Sequence, residues 1–263
     1  MAEPMLQVRE LTKRFGGLTA VDRVDLDVHP GEVVGLLGDN GAGKSTLIKM
    51  VSGVYRPDGG QIFFQGREIK LGSPMDALEL GIETLYQDLA LAENLDVGSN
   101  IFLGREIKTR YVGGMFQTLD RRKMRDESAL VLKRLEIEVP SLTQQIRNLS
   151  GGQRQAVAIA RSIYWNARLM IMDEPTAALG VSEQRKVLTL VRTLAGQGVP
   201  VIIISHNMQD VFAVADRIVI MRRGKKVAER IASETTPDEI VSLMVGAEAV
   251  HEMGVIPKAL AQE

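Results

Sequence analysis

Eight consecutive residues, Gly38-Asp39-Asn40-Gly41-Ala42-Gly43-Lys44-Ser45, match the pattern G-x-x-x-x-G-K-[ST]. Glycines let the backbone curl until successive N–H groups point at phosphate oxygens, and the positive end of a following helix points the same way. The lysine can then reach the β and γ phosphates, and the hydroxyl of Ser45 can coordinate Mg²⁺. The spacing predicts a nucleotide-phosphate site, without identifying the nucleotide.

Two carboxylates, Asp173 and Glu174, follow the apolar segment Leu169–Met172. That segment is predicted to be a buried strand, and in a parallel sheet the carboxyl ends of the strands carry the ligand site. We expect Asp173 to bind Mg²⁺ directly or through water. The side chain of Glu174, one residue on, is expected to point in a different direction from that of Asp173 and can polarise the attacking water.

A second glycine motif, Leu149-Ser150-Gly151-Gly152-Gln153, opens a predicted helix. Ser150 is a natural helix cap, and the two glycines leave the helix N-terminus open to an anion. Because the first loop already holds one triphosphate, this second cradle is expected to close over a nucleotide held by another molecule.

The elements that position these motifs alternate between strands and helices. Val33–Leu37 is continuously apolar, which is typical of a strand covered on both faces, and a helix is predicted from about residue 45 to 52. Roughly residues 95 to 165 are predicted to be helical, with an exposed loop at Gly104–Leu119 and a helix capped by Asp120.

Strand–helix alternation then resumes, and an α/β sheet with a helical insertion is the economical interpretation. The predicted elements are a helix capped by Ser182 and ended by Gly196, a strand at Val201–Ile204, a hairpin around 222–225 and a helix that begins with a capping box at Thr236.

Composition limits the functions that remain. The 263 residues contain no cysteine, which excludes disulfides and thiolate catalysis, and the three histidines are too scattered to suggest a zinc site. The net charge of −1 gives no field to attract nucleic acid. No apolar run approaches the ~18 residues of a spanning helix, and no signal peptide is apparent, so we expect a cytosolic protein that reaches any membrane through a partner.

The second glycine motif resembles the signature motif of ABC ATPases, and the other motifs of that family occur in order along nearly the whole chain. The matches are Phe15 for the aromatic that stacks on adenine, Gly38–Thr46 for Walker A, Gln87 for the Q-loop, Leu169–Asp173 for Walker B, Glu174 for the catalytic glutamate and His206 for the switch histidine.

The resemblance implies a fold: a P-loop NTPase (RecA-like) core with an antiparallel β subdomain and an inserted α-helical subdomain, in one ABC ATPase domain over residues 1–263. The core and β subdomain are expected at about 1–94 and 166–225, the helical signature subdomain at about 95–165, and a C-terminal strand and helix extension at about 226–263.

The resemblance also implies a mechanism in which two copies pair head to tail. ATP would contact Lys44, Ser45, Thr46 and the preceding loop residues of one copy and Ser150, Gly151, Gly152 and Gln153 of the other. Glu174 would activate water, His206 would contact the γ-phosphate, and Mg²⁺ would be bound by Ser45, Gln87 and Asp173. Gln87 would also couple the site to a membrane permease. Gly180 stands where the family usually has an aspartate, which leaves communication between the two sites in question.

The segments Gln87–Leu95 and Asn100–Glu106 resemble bacterial importers of simple sugars of the ribose, xylose and fructose type. The expected partners are a permease and, indirectly, a periplasmic sugar-binding protein, with the chain as a peripheral homodimer on the cytoplasmic face of the inner membrane. A branched-chain amino acid importer is the alternative, since Phe15–Val21 suits that group equally well. A non-transport ABC ATPase acting on DNA or ribosomes is a further alternative.

Overall fold

Twelve strands and eight helices make up the part of the chain that the computed structural model describes, residues 3–111, 116–177 and 179–246. The strands are β1 Leu6–Phe15, β2 Leu18–Val28, β3 Val33–Leu37, β4 Gly59–Phe64, β5 Arg67–Ile69, β6 Ile82–Leu85, β7 Lys108–Tyr111, β8 Phe116–Leu119, β9 Leu169–Asp173, β10 Val201–Ile204, β11 Arg217–Arg222 and β12 Lys225–Ile231. The helices are α1 Lys44–Val51, α2 Pro74–Leu80, α3 Val97–Ile101, α4 Arg121–Arg134, α5 Gly151–Tyr164, α6 Val181–Gly196, α7 Met208–Val214 and α8 Pro237–Val245.

The central sheet has six strands in the order β12-β11-β3-β10-β9-β6. All neighbours pair in parallel except β11 and β12, which form the predicted antiparallel hairpin. β3 and β10 are buried along their whole length, as their continuous apolar sequences predicted, and of β9 only Asp173 is partly exposed. Helices α5 and α6 share one apolar core with this sheet, and α1 shares another. The α/β class predicted from the sequence is confirmed.

A second, antiparallel sheet has the order β2-β1-β4-β5. In β2 the apolar residues Val24, Leu26 and Val28 are buried, whereas Asp25 and Asp27 are not, so the strand alternates between a buried and a more exposed face. Its buried face packs with α1 and with alternate side chains of β3 in one apolar cluster. The phosphate-loop helix is therefore held between the two sheets.

The segment between β6 and β9 carries α3, α4 and α5, whose apolar faces meet around the fully buried Phe102. Asp120 caps α4 as predicted, because its carboxylate accepts a hydrogen bond from the Lys123 N–H at 3.0 Å. The residue bounds proposed for the subdomains stay a prediction, and residues 247–263 of the C-terminal extension lie outside the described part.

The expected exposed loop at Gly104–Leu119 is corrected, because both of its flanks are strands. β7 pairs with β8 in antiparallel register, with Thr109 opposite Thr118, and β-branched residues favour strands. The Thr109 hydroxyl donates to the Asp120 carboxylate at 2.9 Å, which ties this ribbon to the start of α4. Gly113 and Gly114, which suggested a loop, lie outside the described residues.

Two helix starts also differ from expectation. α6 is capped by Gly180 rather than Ser182, because the N–H groups of Glu183 and Gln184 both donate to the Gly180 carbonyl at 2.9 Å. At α8 only half of the predicted capping box forms. The Thr236 hydroxyl accepts from the Glu239 N–H at 3.3 Å, but the Glu239 carboxylate turns to Arg230 at 2.7 Å instead.

Arg217 joins the two sheets at their edge. Its guanidinium donates to both oxygens of the Glu32 carboxylate at 2.7 and 3.0 Å and to the carbonyl of Asp27 in β2 at 2.5 Å. It also pairs with Glu229 of β12 at 2.7 Å. The side chains of Arg217 and Glu32 are 15% and 14% exposed, so this bidentate pair is largely removed from water.

We predict that Arg217→Ala lowers the free energy of unfolding by about 3 kcal/mol, because it leaves the Glu32 carboxylate buried without its partner. Urea denaturation of the purified chain measures this. Arg192→Ala is the matched control, since Arg192 and Asp216 form an ion pair with 49% and 44% exposed side chains. Such an exposed pair contributes about 0–1 kcal/mol. Equal losses in the two variants would contradict the prediction.

Candidate functional site

The phosphate loop lies directly between β3 and α1, and close approaches require two of its three glycines. Gly38 has φ +150°, and a side chain there would clash with the carbonyl oxygen of Met221 in β11. Gly43 has φ +101°, and a Cβ on it would lie 2.5 Å from the Ala20 carbonyl oxygen. Gly41 has φ +80°, and a Cβ on it would meet no atom within 4 Å, so the loop is packed on one side and open on the other.

Lys44, the first residue of α1, reaches back across this loop. Its Nζ donates to the carbonyl oxygens of Gly38 at 2.6 Å and Asp39 at 3.0 Å. Burial lowers the pKa of Lys44, and the charges of Glu174, Asp39 and Asp173 oppose that shift. A half-buried cation is therefore held over a loop of backbone N–H groups, an arrangement that suits a polyphosphate.

A cleft of about 540 Å³ opens over the loop, lined by residues 40–46, by Phe15 and neighbouring residues of β2, and by Arg223 and Gly224. Phe15 is 43% exposed and meets Tyr55 edge to face, with 5.3 Å between ring centroids. The structure therefore places the predicted adenine-stacking ring at the wall of the phosphate cleft.

Sequence reasoning missed the contribution of the β11–β12 turn to this cleft. The Gly224 N–H donates to the Ala42 carbonyl at 2.9 Å, and the Asp22 N–H donates to the Gly224 carbonyl at 2.8 Å. The turn itself was predicted from Arg222-Arg223-Gly224-Lys225. Its contact with the phosphate loop was not, because the two segments are far apart in sequence and no local pattern indicates that they meet.

The carboxyl end of β9 lies level with that of β10, because Asp173 pairs with Ile204. Glu174 follows with φ +53°, an uncommon left-handed backbone, and its N–H donates to the Ile204 carbonyl at 2.8 Å. The different directions predicted for the Asp173 and Glu174 side chains stay a prediction.

His206 meets Glu174 at this edge. One carboxylate oxygen of Glu174, Oε1, accepts a hydrogen bond from the His206 backbone N–H at 2.9 Å. The other, Oε2, lies 2.7 Å from Nδ1 of the His206 ring. Oε2 is buried and, apart from this contact with the His206 ring, has no polar partner within the described part of the chain. A buried carboxylate oxygen with a free lone pair can accept a hydrogen bond from a water molecule.

Asp173 is the second carboxylate of the site. Burial and the nearby charge of Glu174 raise the pKa of Asp173, while Lys44 and Lys49 act in the opposite direction. A desolvated carboxylate beside another carboxylate is one that a bound divalent cation would stabilise. No group of three or more His, Cys, Asp or Glu residues that could hold a metal occurs within residues 3–111, 116–177 and 179–246. A magnesium ion here would therefore need phosphate oxygens as further ligands, which is its usual preference.

The signature motif forms a complete capping box at the start of α5. The Ser150 hydroxyl accepts from the Gln153 N–H at 3.3 Å, and the Gln153 side chain accepts from the Ser150 N–H at 3.1 Å. None of the residues 149–153 lines the cleft over the phosphate loop. The two anion cradles of one chain therefore do not share a cavity.

Glu183 of α6 is a second residue that sequence reasoning missed. A Cβ on Gly152 would lie 2.9 Å from the Glu183 Cβ, so the two backbones are in close approach. The Ser150 hydroxyl, together with the N–H groups of Gly180 and Gly152, lowers the pKa of Glu183. A carboxylate of the same chain thus interacts with the N-terminus of α5, as an anion would.

Gln87 follows β6 and is exposed. It lines a second cleft of about 260 Å³ together with Glu174, Gly151 and Arg154. The structure therefore brings the predicted Q-loop residue and the predicted catalytic glutamate to one cleft, beside the start of the signature helix.

Comparison with known proteins decides the family. A family model described as "ABC transporter" matches residues 21–177. The chain belongs to the ABC transporter family. A xylose/arabinose import ATP-binding protein of Sulfolobus acidocaldarius is 48% identical over 91% of this chain and 93% of its own length. A fructose import ATP-binding protein of Rhizobium meliloti is 47% identical over 93% and 95%.

The ABC transporter relatives differ in length. A ribose import ATP-binding protein of Streptomyces avermitilis is 43% identical over 93% of this chain but only 45% of itself, so the chain spans about half of that relative. Among solved structures, CbiO1 of Clostridium perfringens, part of an ABC transporter complex, superposes with a TM-score of 0.76 at 26% identity, over 97% of this chain and 100% of that one. This agreement confirms the ABC ATPase fold.

Within the described residues of this ABC transporter protein, no helix is both long and apolar enough to cross a membrane.

We predict that Asp173→Asn raises the free energy of unfolding of the nucleotide-free chain at neutral pH, by on the order of 1 kcal/mol, the usual gain when a functional group held in an unfavourable environment is replaced. The pKa of Asp173 is higher in the folded chain than in the unfolded one, so ionised Asp173 destabilises the fold. The gain should shrink as the pH falls through the folded pKa, where wild-type Asp173 also becomes neutral. Urea denaturation at several pH values measures this, and a gain that grows on acidification would contradict it.

Proposed function

We propose that this chain is the ATP-hydrolysing subunit of an ABC importer that takes up a simple sugar. The observation that carries the proposal is the buried Glu174 Oε2, which lies at the sheet edge where the phosphate loop begins and which, among the described residues, has only the His206 ring as a polar neighbour. A loop that binds phosphates and a carboxylate that can accept a hydrogen bond from water are the two parts that hydrolysis of a nucleoside triphosphate needs.

ATP binds in the 540 Å³ cleft, with adenine on the exposed face of Phe15. The backbone N–H groups of residues 38–46 point at the phosphates, and Lys44 exchanges its two carbonyl partners for β- and γ-phosphate oxygens. Because Lys44 is half-buried and partly desolvated, its charge acts on those oxygens more strongly than an exposed lysine would.

Ser45, Asp173 and Gln87 are the residues that would hold Mg²⁺. When bound, the ion neutralises charge on the phosphate oxygens and so favours departure of the leaving group. A desolvated carboxylate at Asp173 and a hydroxyl at Ser45 fit this oxygen-liganded role.

Glu174 orients and polarises the attacking water through Oε2. The His206 N–H donates to Oε1 at 2.9 Å, which fixes the orientation of the carboxylate. The His206 side chain is 80% exposed and can turn toward a γ-phosphate while its backbone stays bonded to Glu174.

A second copy completes the site. Ser150, Gly151, Gly152 and Gln153 lie outside the chain's own phosphate cleft, so they act on the nucleotide of the partner in a head-to-tail dimer. A solved ATP-binding cassette with 26% identity and a TM-score of 0.69, over 87% of this chain and 99% of that one, is a dimer bound to ADP and Pi.

The transported solute is a simple sugar, because the relatives with 47–48% identity over nearly their full length are named for import of xylose, arabinose and fructose. The chain then works as a peripheral subunit on the cytoplasmic face of the membrane. It couples to a permease that receives sugar from an external, periplasmic-type binding protein. A branched-chain amino acid importer is the alternative that the next experiments must exclude.

We predict that Glu174→Gln lowers kcat for ATP hydrolysis by about 10²–10³-fold, because the amide cannot accept a proton from the attacking water. The variant should still bind ATP and form an ATP-dependent dimer, measured by size-exclusion chromatography. Glu136→Gln is the matched control, since Glu136 is an exposed glutamate with a similar backbone φ of +54°. Wild-type turnover in Glu174→Gln would remove Glu174 from its role.

We predict that the chain, reconstituted with its permease in proteoliposomes, shows ATPase activity that rises several-fold when a binding protein loaded with pentose or fructose is added. The binding protein without ligand and the Glu174→Gln variant are the controls. Stimulation by a leucine-loaded binding protein alone would overturn sugar import in favour of the amino acid alternative.

A further inference from the structure

The segment after Gln87 continues from β6 of the central sheet but is hydrogen-bonded to the helical insertion. Gln87 follows β6, whereas Ala92 is bonded to the buried Asn100 of α3. The Asn100 side-chain amide accepts from the Ala92 N–H at 2.8 Å and donates to the Ala92 carbonyl at 3.0 Å. Two backbone N–H groups of the insertion also donate to this segment. The Ile146 N–H donates to the Leu95 carbonyl at 3.0 Å, and the Arg147 N–H donates to the Glu93 carbonyl at 3.1 Å.

Arg161, in the last turn of α5, contacts the turn that follows Gln87. Its two terminal nitrogens donate to the carbonyl oxygens of Ala90 at 3.0 Å and Leu89 at 3.2 Å. Ala90 has φ +48°, a left-handed backbone that costs an alanine energy, and its N–H donates to the Asp88 carboxylate at 3.2 Å. The planar fork of an arginine suits two adjacent carbonyls in a way that a lysine cannot reproduce.

Arg161 occupies an unfavourable place for a charge. Burial lowers the pKa of Arg161, against the favourable charge of Glu83 in β6. Burial also raises the pKa of Glu83, whose carboxylate accepts from the Ser162 hydroxyl at 3.3 Å. A half-buried guanidinium that is bonded to neutral carbonyls contributes more to the position of those carbonyls than an exposed ion pair would.

The same helix carries Ser150 at its other end, about 16 Å away along the axis at 1.5 Å per residue. We propose that Arg161 is a positioning residue that locks the turn after Gln87 to the signature helix, so that Gln87 is placed according to where α5 sits. This rests on the proposed function, in which Ser150 meets the nucleotide of a second copy and Gln87 serves the chain's own site. The lock gives the two sites of the dimer a direct mechanical connection.

The test is a double-mutant cycle on kcat for Mg·ATP hydrolysis by the full chain, with Arg161→Lys, Gln87→Ala and both together. Arg161→Lys keeps the charge but loses the two-carbonyl fork, and we expect kcat to fall about tenfold with KM for ATP little changed, as for a misplaced catalytic group. Since Arg161 acts through Gln87, the double variant should be no slower than the slower single variant.

Arg134→Lys is the matched control, because Arg134 also bridges the insertion to the core, through Gln197 at 3.0 Å, but does not contact the segment after Gln87. It should keep wild-type kcat. Thermal unfolding identifies any variant that does not fold, and Arg161→Gln replaces Arg161→Lys in that case.

Independent, multiplying losses of kcat, or Arg161→Lys at the wild-type rate, would overturn the inference while leaving ATP hydrolysis intact. Gln87→Ala at the wild-type rate would remove Gln87 from the proposed site, and with it this role of Arg161. A wild-type chain without ATPase activity would instead refute the proposed function itself.

Discussion

The parallel register of β3, β10 and β9 determines where chemistry can take place. Ile204 of β10 pairs with Leu36 on one side and Asp173 on the other, so the three carboxyl ends finish at one level. The phosphate loop, the acidic pair and His206 all begin within two or three residues of that level. Without this pairing the motifs would be separate turns, because the sheet is what fixes all three relative to one another.

This edge concentrates energetically unfavourable features that the apolar layers beneath it must offset. Lys44 and Asp173 are both shifted by burial toward their neutral forms, and Glu174 adopts a left-handed backbone. The left-handed backbone of Glu174 costs of order 1–3 kcal/mol and is tolerated only where the surrounding structure over-determines the conformation. The continuous apolar strands β3 and β10, fully buried, supply that support.

Local pattern was sufficient to predict the strands β3, β9 and β10, the phosphate loop and the acidic strand end, because each depends on consecutive residues. Local pattern failed where a contact depends on residues that are distant in sequence. The β7–β8 ribbon, the Gly180 cap and the docking of Gly224 on Ala42 are fixed by partners that no window of sequence contains. Glu183 was missed for the same reason, since its proximity to Gly152 depends on how α6 packs against α5.

The position of Glu183 bears on how a second copy would engage. Its carboxylate interacts with the Ser150 hydroxyl and the Gly152 N–H, the groups proposed to meet a partner's γ-phosphate. Two anions cannot share one helix N-terminus without repulsion, so closure of the dimer requires this carboxylate to move or to be compensated.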